Sequence, residues 1–413
     1  MSMKTAAQAL ETLLAQAKPT QLEESVSLQE SLGRVLAQDL ISAVNVPPMD
    51  NTQMDGFVLR ADDVTEIGTV LPVSQRIPAG YIGQPLQAGT AARIFTGASI
   101  PPNATAVVMQ EDCEVIGQPD EQGIHYQIKV NHVPKFGEWI REKGEDLREN
   151  TSVLKAGTYL RPQELGVAAS TGVTQLVVKK RIRVALFFTG DELTLPGQPL
   201  KPGGIYNSNR DTLIACVKAL GCDYTDFGIV PDTLEATRST LRSASQEHDL
   251  IVTSGGVSVG EEDHIKPAVT AEGQLDMWQI AIKPGKPLAF GTVRRDHNSS
   301  AWFMGLPGNP VSSFVTFLLF VRPFILALQG RETRNEAYFE LEADFDWLKP
   351  DRRNEFLRVK VNQHGKLDLF PNQSSGVLTS AAWGDGLADI PAGKQVHQGD
   401  KIRFIPFHQL LHG

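Results

Sequence analysis

Cysteine is scarce in this chain, which has three cysteines among its 413 residues. Cys113, Cys216 and Cys222 form no CxxC pair, and none has a neighbouring histidine at the spacing of a zinc site. The sequence therefore offers no zinc-binding motif, and we expect the three cysteines to be small buried hydrophobic residues.

Positive charge is also in short supply, since Lys and Arg number 39 against 48 Asp and Glu, for a formal net charge of −9. A nucleic-acid-binding protein needs a general basic field to collect phosphates, and this chain has none. An anionic ligand would have to be held by a local cluster of cations.

Long apolar runs free of charge are missing as well. The longest apolar stretch, Val311 to Leu328, contains Arg322 and Pro323, which argues against a membrane span. The first twenty residues have the spacing of an amphipathic helix rather than the layout of a signal peptide. We therefore expect a cytoplasmic protein.

The hydrophobic pattern predicts several domains, because the chain is too long for one ordinary core. The strand candidates are residues 181–188, 223–230 and 249–254, and the helix candidates between and after them are residues near 208–220 and 232–246. Such alternation predicts right-handed β-α-β units and a parallel sheet. The apolar stretch that follows Gly308-Asn309-Pro310 predicts a buried helix that closes this domain.

The remaining segments differ from the α/β region in their residue pattern. Apolar spacing predicts a helix near residues 6–14, and the capping box Ser27-Leu28-Gln29-Glu30 predicts a second helix. Between about Asn51 and Lys143, short β-rich runs broken by Gly and Pro predict a small inserted β domain. Beyond about Gly330, alternating runs predict a C-terminal β barrel or sandwich.

Two polar turns follow predicted strands of the parallel sheet. Their polar and small residues are Thr189, Gly190, Asp191 and Glu192 in FFTGDEL (187–193), and Ser254, Gly255, Gly256, Ser258 and Asp263 in TSGGVSVGEEDHIK (253–266). Ligands gather at the carboxyl ends of parallel strands, and carboxylates beside a glycine turn favour a divalent cation. Turn geometry alone could explain either stretch, and Asp263 could be a helix cap. The chain has no GxxxxGK[ST] and no spaced dinucleotide fingerprint, which disfavours a P-loop NTPase or a dehydrogenase.

Two further stretches can bind an anion. AIKPGKPLAF (281–290) places Lys283 and Lys286 around a Pro-Gly-Pro frame that can aim both ammonium groups at one anion, although a surface hairpin would look similar. GLPGNPVSS (305–313) adds Asn309, a candidate helix cap, and Ser312, a candidate hydrogen-bond donor.

Loops outside the sheet domain carry similar chemistry. Asp55 in NTQMDGF and Thr96 in RIFTGASIP could be site residues or turn formers, and Asp146 in GEDLRE could belong to a solvated acidic loop. No Ser-His-Asp or Cys-His arrangement can be argued from the sequence.

In order along the chain, PPMDNTQMDGF, RIFTGASIP, GEDL, TGDEL, NSN, TSGGVSVGEEDHIK, AIKPGKPLAFG and GLPGNPVSS resemble the signatures of the MoeA-type molybdopterin molybdenumtransferases, the family that includes the gephyrin E domain. The resemblance implies a multidomain α/β protein. Its expected parts are a helical dimerisation domain (1–50 and 147–178), an inserted β domain (51–146), a MogA-like molybdopterin-binding α/β domain with a parallel sheet (179–329) and a C-terminal β barrel-like domain (330–413).

The activity that the resemblance implies is insertion of molybdenum from molybdate into adenylylated molybdopterin, with release of AMP and dependence on Mg²⁺. The implied molybdate contacts are Lys283, Lys286, Ser312, Arg358 and Ser375. The implied substrate contacts are Thr189, Ser254, Gly255, Gly256, Ser258, Pro307 and Pro310.

The resemblance also implies catalytic acids and partners. Asp55, Thr96 and Asp146 are expected to reach the site from the partner subunit of a homodimer. Glu192, Asp232 and Asp263 are expected to hold metal or substrate, with Glu192 and Asp263 as metal ligands. Docking to a MogA-type molybdopterin adenylyltransferase and to downstream maturation factors of molybdoenzymes is a further expectation, whereas nucleic acid and membrane are not expected partners.

One position departs from the pattern, because Gln279 stands where many relatives carry Lys or Arg. One cationic contact is then missing, which bears on substrate binding more than on the reaction. Two other functions keep the same fold: a pterin-binding scaffold, as in the gephyrin branch, and a nucleotide hydrolase, because CinA-type proteins resemble the MogA-like domain. The retained acids argue against the scaffold, and the MDGF and PGNPVSS stretches argue against the hydrolase.

Overall fold

The computed structural model describes residues 3–256, 264–295, 299–331 and 338–412. Elements are numbered in chain order. The N-terminal segment contains α1 (Ala6–Leu14), β1 (Glu23–Ser27) and β2 (Leu40–Ile41). The next segment contains β3 (Asn51–Thr52), β4 (Gly56–Leu59), β5 (Thr69–Ile77), β6 (Ala91–Ile94), β7 (Ala106–Met109), β8 (Cys113–Ile116), β9 (Gln127–Val130) and β10 (Ile140–Arg141). The chain then returns to the first segment with β11 (Ser152–Leu154), α2 (Pro162–Ser170) and β12 (Gln175–Lys179).

The α/β segment contains β13 (Arg183–Thr189), β14 (Leu193–Thr194), β15 (Ile205–Tyr206), α3 (Ser208–Ala219), β16 (Asp223–Val230), α4 (Leu234–Glu247), β17 (Leu250–Ser254), α5 (Ile265–Glu272), β18 (Gly273–Gln279), β19 (Ile282–Lys283), β20 (Pro287–Arg295), β21 (Ser299–Leu306), α6 (Pro310–Thr316), a π-helical segment (Phe317–Val321) and α7 (Arg322–Leu328). The C-terminal segment contains β22 (Phe339–Glu342), β23 (Asn354–Val361), β24 (Leu367–Leu369), α8 (Thr379–Trp383), β25 (Gly386–Ile390), β26 (Lys401–Pro406) and α9 (Phe407–His412).

The central sheet has the strand order β16-β13-β17-β21-β20-β18. The β13, β16, β17 and β21 strands pair in parallel, and β20 and β18 extend the sheet in antiparallel pairs. Buried side chains on alternate positions of β13 face two different cores, with Leu186 on one side and Phe187 on the other. Because both faces are covered, the central strands β13 and β17 are buried almost throughout, as expected for parallel strands in an α/β domain. The predicted α/β sheet is confirmed.

The apolar helix that begins at Pro310 is a core element. It runs from Pro310 to Leu328 and has the length and hydropathy of a membrane span, but 89% of its most apolar window is buried inside the protein. It packs into the same core as Ala9 and Leu13 of α1, whose start is fixed by a capping box between Thr5 and Gln8. The N-terminal helix is therefore anchored on the α/β domain.

The helix predicted after Ser27 is wrong. Ser27 and Glu30 do exchange the expected capping bonds, each 3.3 Å long, but the helix is a single 3₁₀ turn that ends at Ser31. The chain turns at Gly33, whose φ is +72°, and Val35 and Leu36 then join bridges with Tyr159 and Val178. Pairing with distant strands therefore ends a helix that local capping would permit.

The inserted segment folds around a six-stranded sheet with the order β7-β4-β6-β5-β9-β8. Its strands bury two apolar clusters, one on each face, which include Val108 on one side and Ile94 on the other. Gly56 lets β4 approach β7, because a Cβ there would lie 2.0 Å from the carbonyl oxygen of Val108.

The C-terminal sheet has the order β19-β23-β25-β26-β22 with β24 paired to β23. Its edge strand β19 belongs to the α/β segment, since Ile282 pairs with Asn354 and Lys283 with Glu355 in parallel register. The KPGKP stretch is therefore shared between two domains.

Candidate functional site

The carboxyl ends of β13, β17 and β21 open into a cleft of about 870 Å³. The chain places β16 on one side of β13 and then crosses to β17 on the other, so the direction of strand order reverses at this point. Open α/β sheets bind ligands at such a switch point. The predicted residues that line the cleft are Thr189, Glu192, Asp232, Ser254, Gly255, Gly256, Lys283, Lys286, Pro307, Pro310, Ser312 and Ser375. The predicted residues Ser258 and Asp263 lie outside the described residues.

Two buried polar atoms at the cleft wall have no hydrogen-bond partner in the described part of the chain. They are Thr189 Oγ1, at the end of β13, and Asn207 Nδ2, at the start of α3. Asn207 caps α3 by accepting the Arg210 N–H at 3.1 Å through its side-chain oxygen, which leaves its amide donors unused. Because buried polar groups are nearly always paired, this pattern indicates a polar ligand.

The first glycine turn brings a carboxylate to the cleft. Gly190 has a φ of +143°, and a Cβ there would lie 2.7 Å from Glu192 Oε2. The Glu192 side chain therefore folds back over Gly190 and faces the cleft with Thr189.

The second glycine turn packs against the first. Gly255 has a φ of +99°, its N–H donates to the Leu306 carbonyl at 3.1 Å, and a Cβ there would lie 2.8 Å from the Thr189 carbonyl oxygen. Only glycine allows the ends of β13, β17 and β21 to meet this closely.

Asn209 connects three parts of the cleft wall, a role that its local sequence does not predict. Its Nδ2 donates to Ser254 Oγ and to the Gly308 carbonyl, both at 2.7 Å. The only local signal was its place in the NSN stretch, because both acceptors are far away in sequence.

Both predicted lysines line the cleft, but they differ in their acidic neighbours. Lys283 Nζ lies 3.0 Å from Glu355 Oε1 and 3.4 Å from Asp351 Oδ2. Lys286 is exposed and has no acidic side chain within 4.0 Å among the residues that the structure describes. Between them, Gly285 packs against the start of the apolar helix, since a Cβ there would lie 2.4 Å from Thr316 Oγ1. The Pro-Gly-Pro frame thus faces the cleft with one paired cation and one open cation.

The start of α6 forms the opposite wall. Val311 N–H donates to the Ser375 carbonyl at 3.0 Å, which brings a C-terminal loop to the cleft beside the buried Ser312. Asn309 occupies the predicted N-cap position of α6, but its side chain makes no capping hydrogen bond.

Arg358 is not at the cleft surface. Its guanidinium is buried and donates to Ser380 Oγ at 3.0 Å, to the Phe356 carbonyl at 3.2 Å and to the Ser374 carbonyl at 3.3 Å. Burial lowers the pKa of Arg358 to about 10. Arg358 therefore supports the loop of Ser374 and Ser375 from behind, and its direct contact with an anion stays a prediction.

Three predicted residues lie away from the cleft of their own chain. Asp55 and Thr96 form one turn of the inserted domain, where Asp55 Oδ1 accepts the Thr96 N–H and hydroxyl, both at 2.7 Å. These bonds hold the pKa of Asp55 below its ordinary range. Asp146 is an exposed loop residue of the segment that returns to the N-terminal domain.

Carboxylate oxygens at the cleft come from Glu192 and Asp232. Within the described ranges, no group of three or more His, Cys, Asp or Glu side chains is close enough to hold a metal by itself. Two carboxylates suit Mg²⁺, which keeps several waters and binds substrate phosphates alongside one or two protein carboxylates.

The cysteines match their expectation in part. Cys216 and Cys222 are buried, and burial raises the pKa of each thiol to about 12. Cys113 is half-buried.

Family descriptions match three successive parts of the chain. "MoeA N-terminal region (domain I and II)" matches residues 4–172, "Probable molybdopterin binding domain" matches residues 185–327 and "MoeA C-terminal region (domain IV)" matches residues 340–407.

Similar proteins cover nearly the whole chain. The molybdopterin molybdenumtransferase of Haemophilus influenzae is 35% identical over 95% of this chain and 96% of its own length. That of Bacillus subtilis is 32% identical over 92% of this chain and 88% of its own length. The crystal structure of the molybdopterin biosynthesis MoeA protein of Pyrococcus horikoshii OT3 has a TM-score of 0.83 at 27% identity and covers 98% of this chain and 99% of its own. The chain belongs to the family of MoeA-type molybdopterin molybdenumtransferases.

Proposed function

We propose that this protein inserts molybdenum from molybdate into adenylylated molybdopterin and releases AMP, in the biosynthesis of the molybdenum cofactor, and that Mg²⁺ is its cofactor. The observation that carries the proposal is the cleft, in which a lysine pair, unpartnered polar atoms and two carboxylates face one volume. The names of the similar proteins support the same activity.

Each part of the cleft has a role in this reaction. Lys283 and Lys286 offset the charge of molybdate, which is a dianion. Thr189 Oγ1 and Asn207 Nδ2 hydrogen-bond to the organic substrate at the carboxyl edge of the sheet. Positioning of two anionic reactants side by side supplies most of the rate.

Glu192 and Asp232 are the described residues that would hold Mg²⁺, and Asp263 is the third candidate from the sequence. The metal, when bound, would polarise the phosphoanhydride of the substrate. The chain's own contribution is to place that anhydride next to molybdate, so that a molybdate oxygen or water can attack the phosphorus and AMP can leave.

A homodimer is part of the proposal. Asp55, Thr96 and Asp146 then complete the cleft of the partner subunit, which accounts for their position outside the cleft of their own chain. A cytoplasmic location and docking of a MogA-type adenylyltransferase remain predictions.

The activity is tested by mixing purified protein with adenylylated molybdopterin, molybdate and Mg²⁺, and by measuring AMP and molybdenum-loaded cofactor. We expect both products in equal amounts and neither without Mg²⁺. AMP formed equally well from an adenylylated compound that lacks the pterin would favour a nucleotide hydrolase. Binding of molybdopterin without turnover would favour a scaffold.

The anion site is tested by Lys283→Ala. Loss of one cation should raise the KM for molybdate by about tenfold or more, because a charged hydrogen bond contributes roughly 1.5–3 kcal/mol. Lys394→Ala removes an exposed lysine of the C-terminal domain and should change nothing. An unchanged molybdate KM in Lys283→Ala would contradict the assignment.

A further inference from the structure

A buried carboxylate lies directly beneath the cleft lysine. The side chain of Glu355 is 1% exposed, whereas that of Lys283 is 41% exposed, and the Lys283 Nζ to Glu355 Oε1 distance is 3.0 Å. Asp351 adds a second negative charge at 3.4 Å. An acid pair at an anion site is unexpected, since it weakens the positive potential that molybdate would meet.

Glu355 is fixed by its own surroundings. Its backbone pairs with that of Lys283 across β19 and β23, so the two side chains leave adjacent strands at the same level. Its Oε2 accepts the Trp347 indole N–H at 2.8 Å and the Asp351 N–H at 2.9 Å. Oε2 therefore accepts two hydrogen bonds from neutral donors of the C-terminal domain, and Oε1 faces the lysine.

Lys283 is the charged neighbour of Glu355 Oε1 at the cleft wall. Glu355 Oε1 has no hydrogen-bond partner in the described part of the chain, although the lysine nitrogen is within 3.0 Å. The ammonium group has three N–H donors. Two acids at 3.0 and 3.4 Å therefore fix the position of the nitrogen, and a third N–H donor remains for a ligand in the cleft.

We propose that Glu355 is a positioning residue, which holds the Lys283 ammonium at the cleft wall with a donor directed to molybdate. The proposal deepens the proposed function and rests on it. It assigns to the C-terminal domain a part in molybdate binding that acts through the lysine, because Glu355 does not line the cleft.

Glu355→Gln separates positioning from simple electrostatics. The amide oxygen of glutamine can still accept from Trp347 and Asp351, but the negative charge is lost. If charge alone mattered, removal of an acid would lower the KM for molybdate. If Glu355 positions the lysine, the KM for molybdate should rise by about tenfold while kcat stays within about twofold, as for a lost binding contact.

A double variant shows whether the effect acts through Lys283. In the Lys283→Ala background, Glu355→Gln should change the molybdate KM by less than about twofold, because the residue that it positions is absent. Equal effects of Glu355→Gln in both backgrounds would overturn the proposal, as would a lowered KM in the single variant. Glu340→Gln, an exposed acid on the far edge strand of the same sheet, is the matched control and should behave as the unaltered protein.

If Glu355→Gln does not fold, Trp347→Phe is the second variant, because it removes one of the two donors that orient Glu355. It should raise the molybdate KM by a smaller factor, and an unchanged KM would contradict the proposal.

Failure of the proposed function gives a different result. The unaltered protein would then show no molybdate-dependent turnover, which overturns the inference as well. Molybdate dependence that is sensitive to Lys283→Ala but not to Glu355→Gln overturns the inference alone.

Discussion

At the scale of single residues, Gly255 lies where the carboxyl end of β17 packs against that of β13. Its φ of +99° is one that L-residues rarely adopt, and a Cβ would lie 2.8 Å from the backbone oxygen of Thr189. A backbone atom cannot move aside as a flexible side chain would. The shape of the cleft therefore depends on the absence of a side chain at this position.

Gly255→Ala should lower the stability of the protein by about 2 kcal/mol, from left-handed strain and the backbone contact together. For a domain of this size, that corresponds to a melting temperature lower by roughly 4–8 °C. Gly365→Ala is the matched control, because Gly365 has a φ of +72° but no atom within 4 Å of its Cβ position. Calorimetry of both variants gives the result, and an equal loss in the two would show that the contact with Thr189 contributes nothing.

Residues whose role follows from local turn chemistry could be predicted from the sequence. Thr189, Ser254 and Lys283 each stand in a short stretch whose composition predicts a turn or a cation site, and all three line the cleft. Asn209 and Glu355 could not be predicted in the same way, because their partners come from distant segments that only the fold brings together.

Arg358 shows what a residue type leaves open. The resemblance implies an anion contact, but the side chain of a strand residue points to one face or the other, and here that face is buried. The type of residue was informative about charge and uninformative about exposure.

At the scale of elements, the α/β domain could be predicted because its periodicity is local. Segments predicted as strands and helices correspond to β13, β16, β17, α3 and α4. The second N-terminal helix could not be predicted correctly, because Val35 and Leu36 pair with residues far along the chain. Local helix propensity determines the secondary structure only where tertiary packing does not override it, and in that segment packing overrides it.

The turn before β23 predicts a pH dependence. Asp351 Oδ1 accepts from Arg353 N and Nε, both at 3.0 Å, and Oδ2 accepts from Arg353 Nη2 at 2.9 Å. The Arg353 side chain holds the pKa of Asp351 well below its ordinary value of 3.8. A carboxyl whose pKa is lowered in the folded state stabilises the protein at pH values above its ordinary pKa. This stabilisation is lost as the pH falls through the pKa of the folded state.

Asp351→Asn should therefore lower the urea midpoint at about pH 6.5 and have a smaller effect at about pH 3, where the carboxyl of the unfolded chain is already largely protonated. Urea titrations of both proteins at the two pH values measure the difference. Asp62→Asn, an exposed position of the inserted domain, serves as the control. The same loss at both pH values would contradict a charge-dependent role for the Asp351–Arg353 pair.

At the scale of the whole molecule, the C-terminal domain is joined to the cleft in two places. The β19 strand supplies the edge of its sheet, and Ser375 accepts from the first turn of the apolar helix. Movement of this domain relative to the α/β domain would therefore shift Lys283 and Ser375 together. No sequence pattern predicts a strand shared between domains, because a two-residue strand has no period of its own.

The proposed homodimer makes a prediction that a monomeric enzyme cannot satisfy. If Asp55 acts in the cleft of the partner subunit, each site contains Lys283 from one subunit and Asp55 from the other. Asp55→Ala and Lys283→Ala then remove groups that different subunits supply to a site. After unfolding and refolding of an equal mixture, half of the dimers would be mixed, and each mixed dimer would hold one undamaged site, so roughly a quarter of the unaltered activity should return. The control mixture combines Lys283→Ala with Lys286→Ala, two residues that line the cleft of their own subunit. Each cleft of a mixed dimer then lacks one lysine, so the mixture should recover no activity. Turnover at a molybdate concentration well below the KM of the unaltered protein measures both mixtures, because only there does Lys283→Ala impair its site. Equal activity in the two would exclude a shared site and place Asp55 in the structure of its own domain.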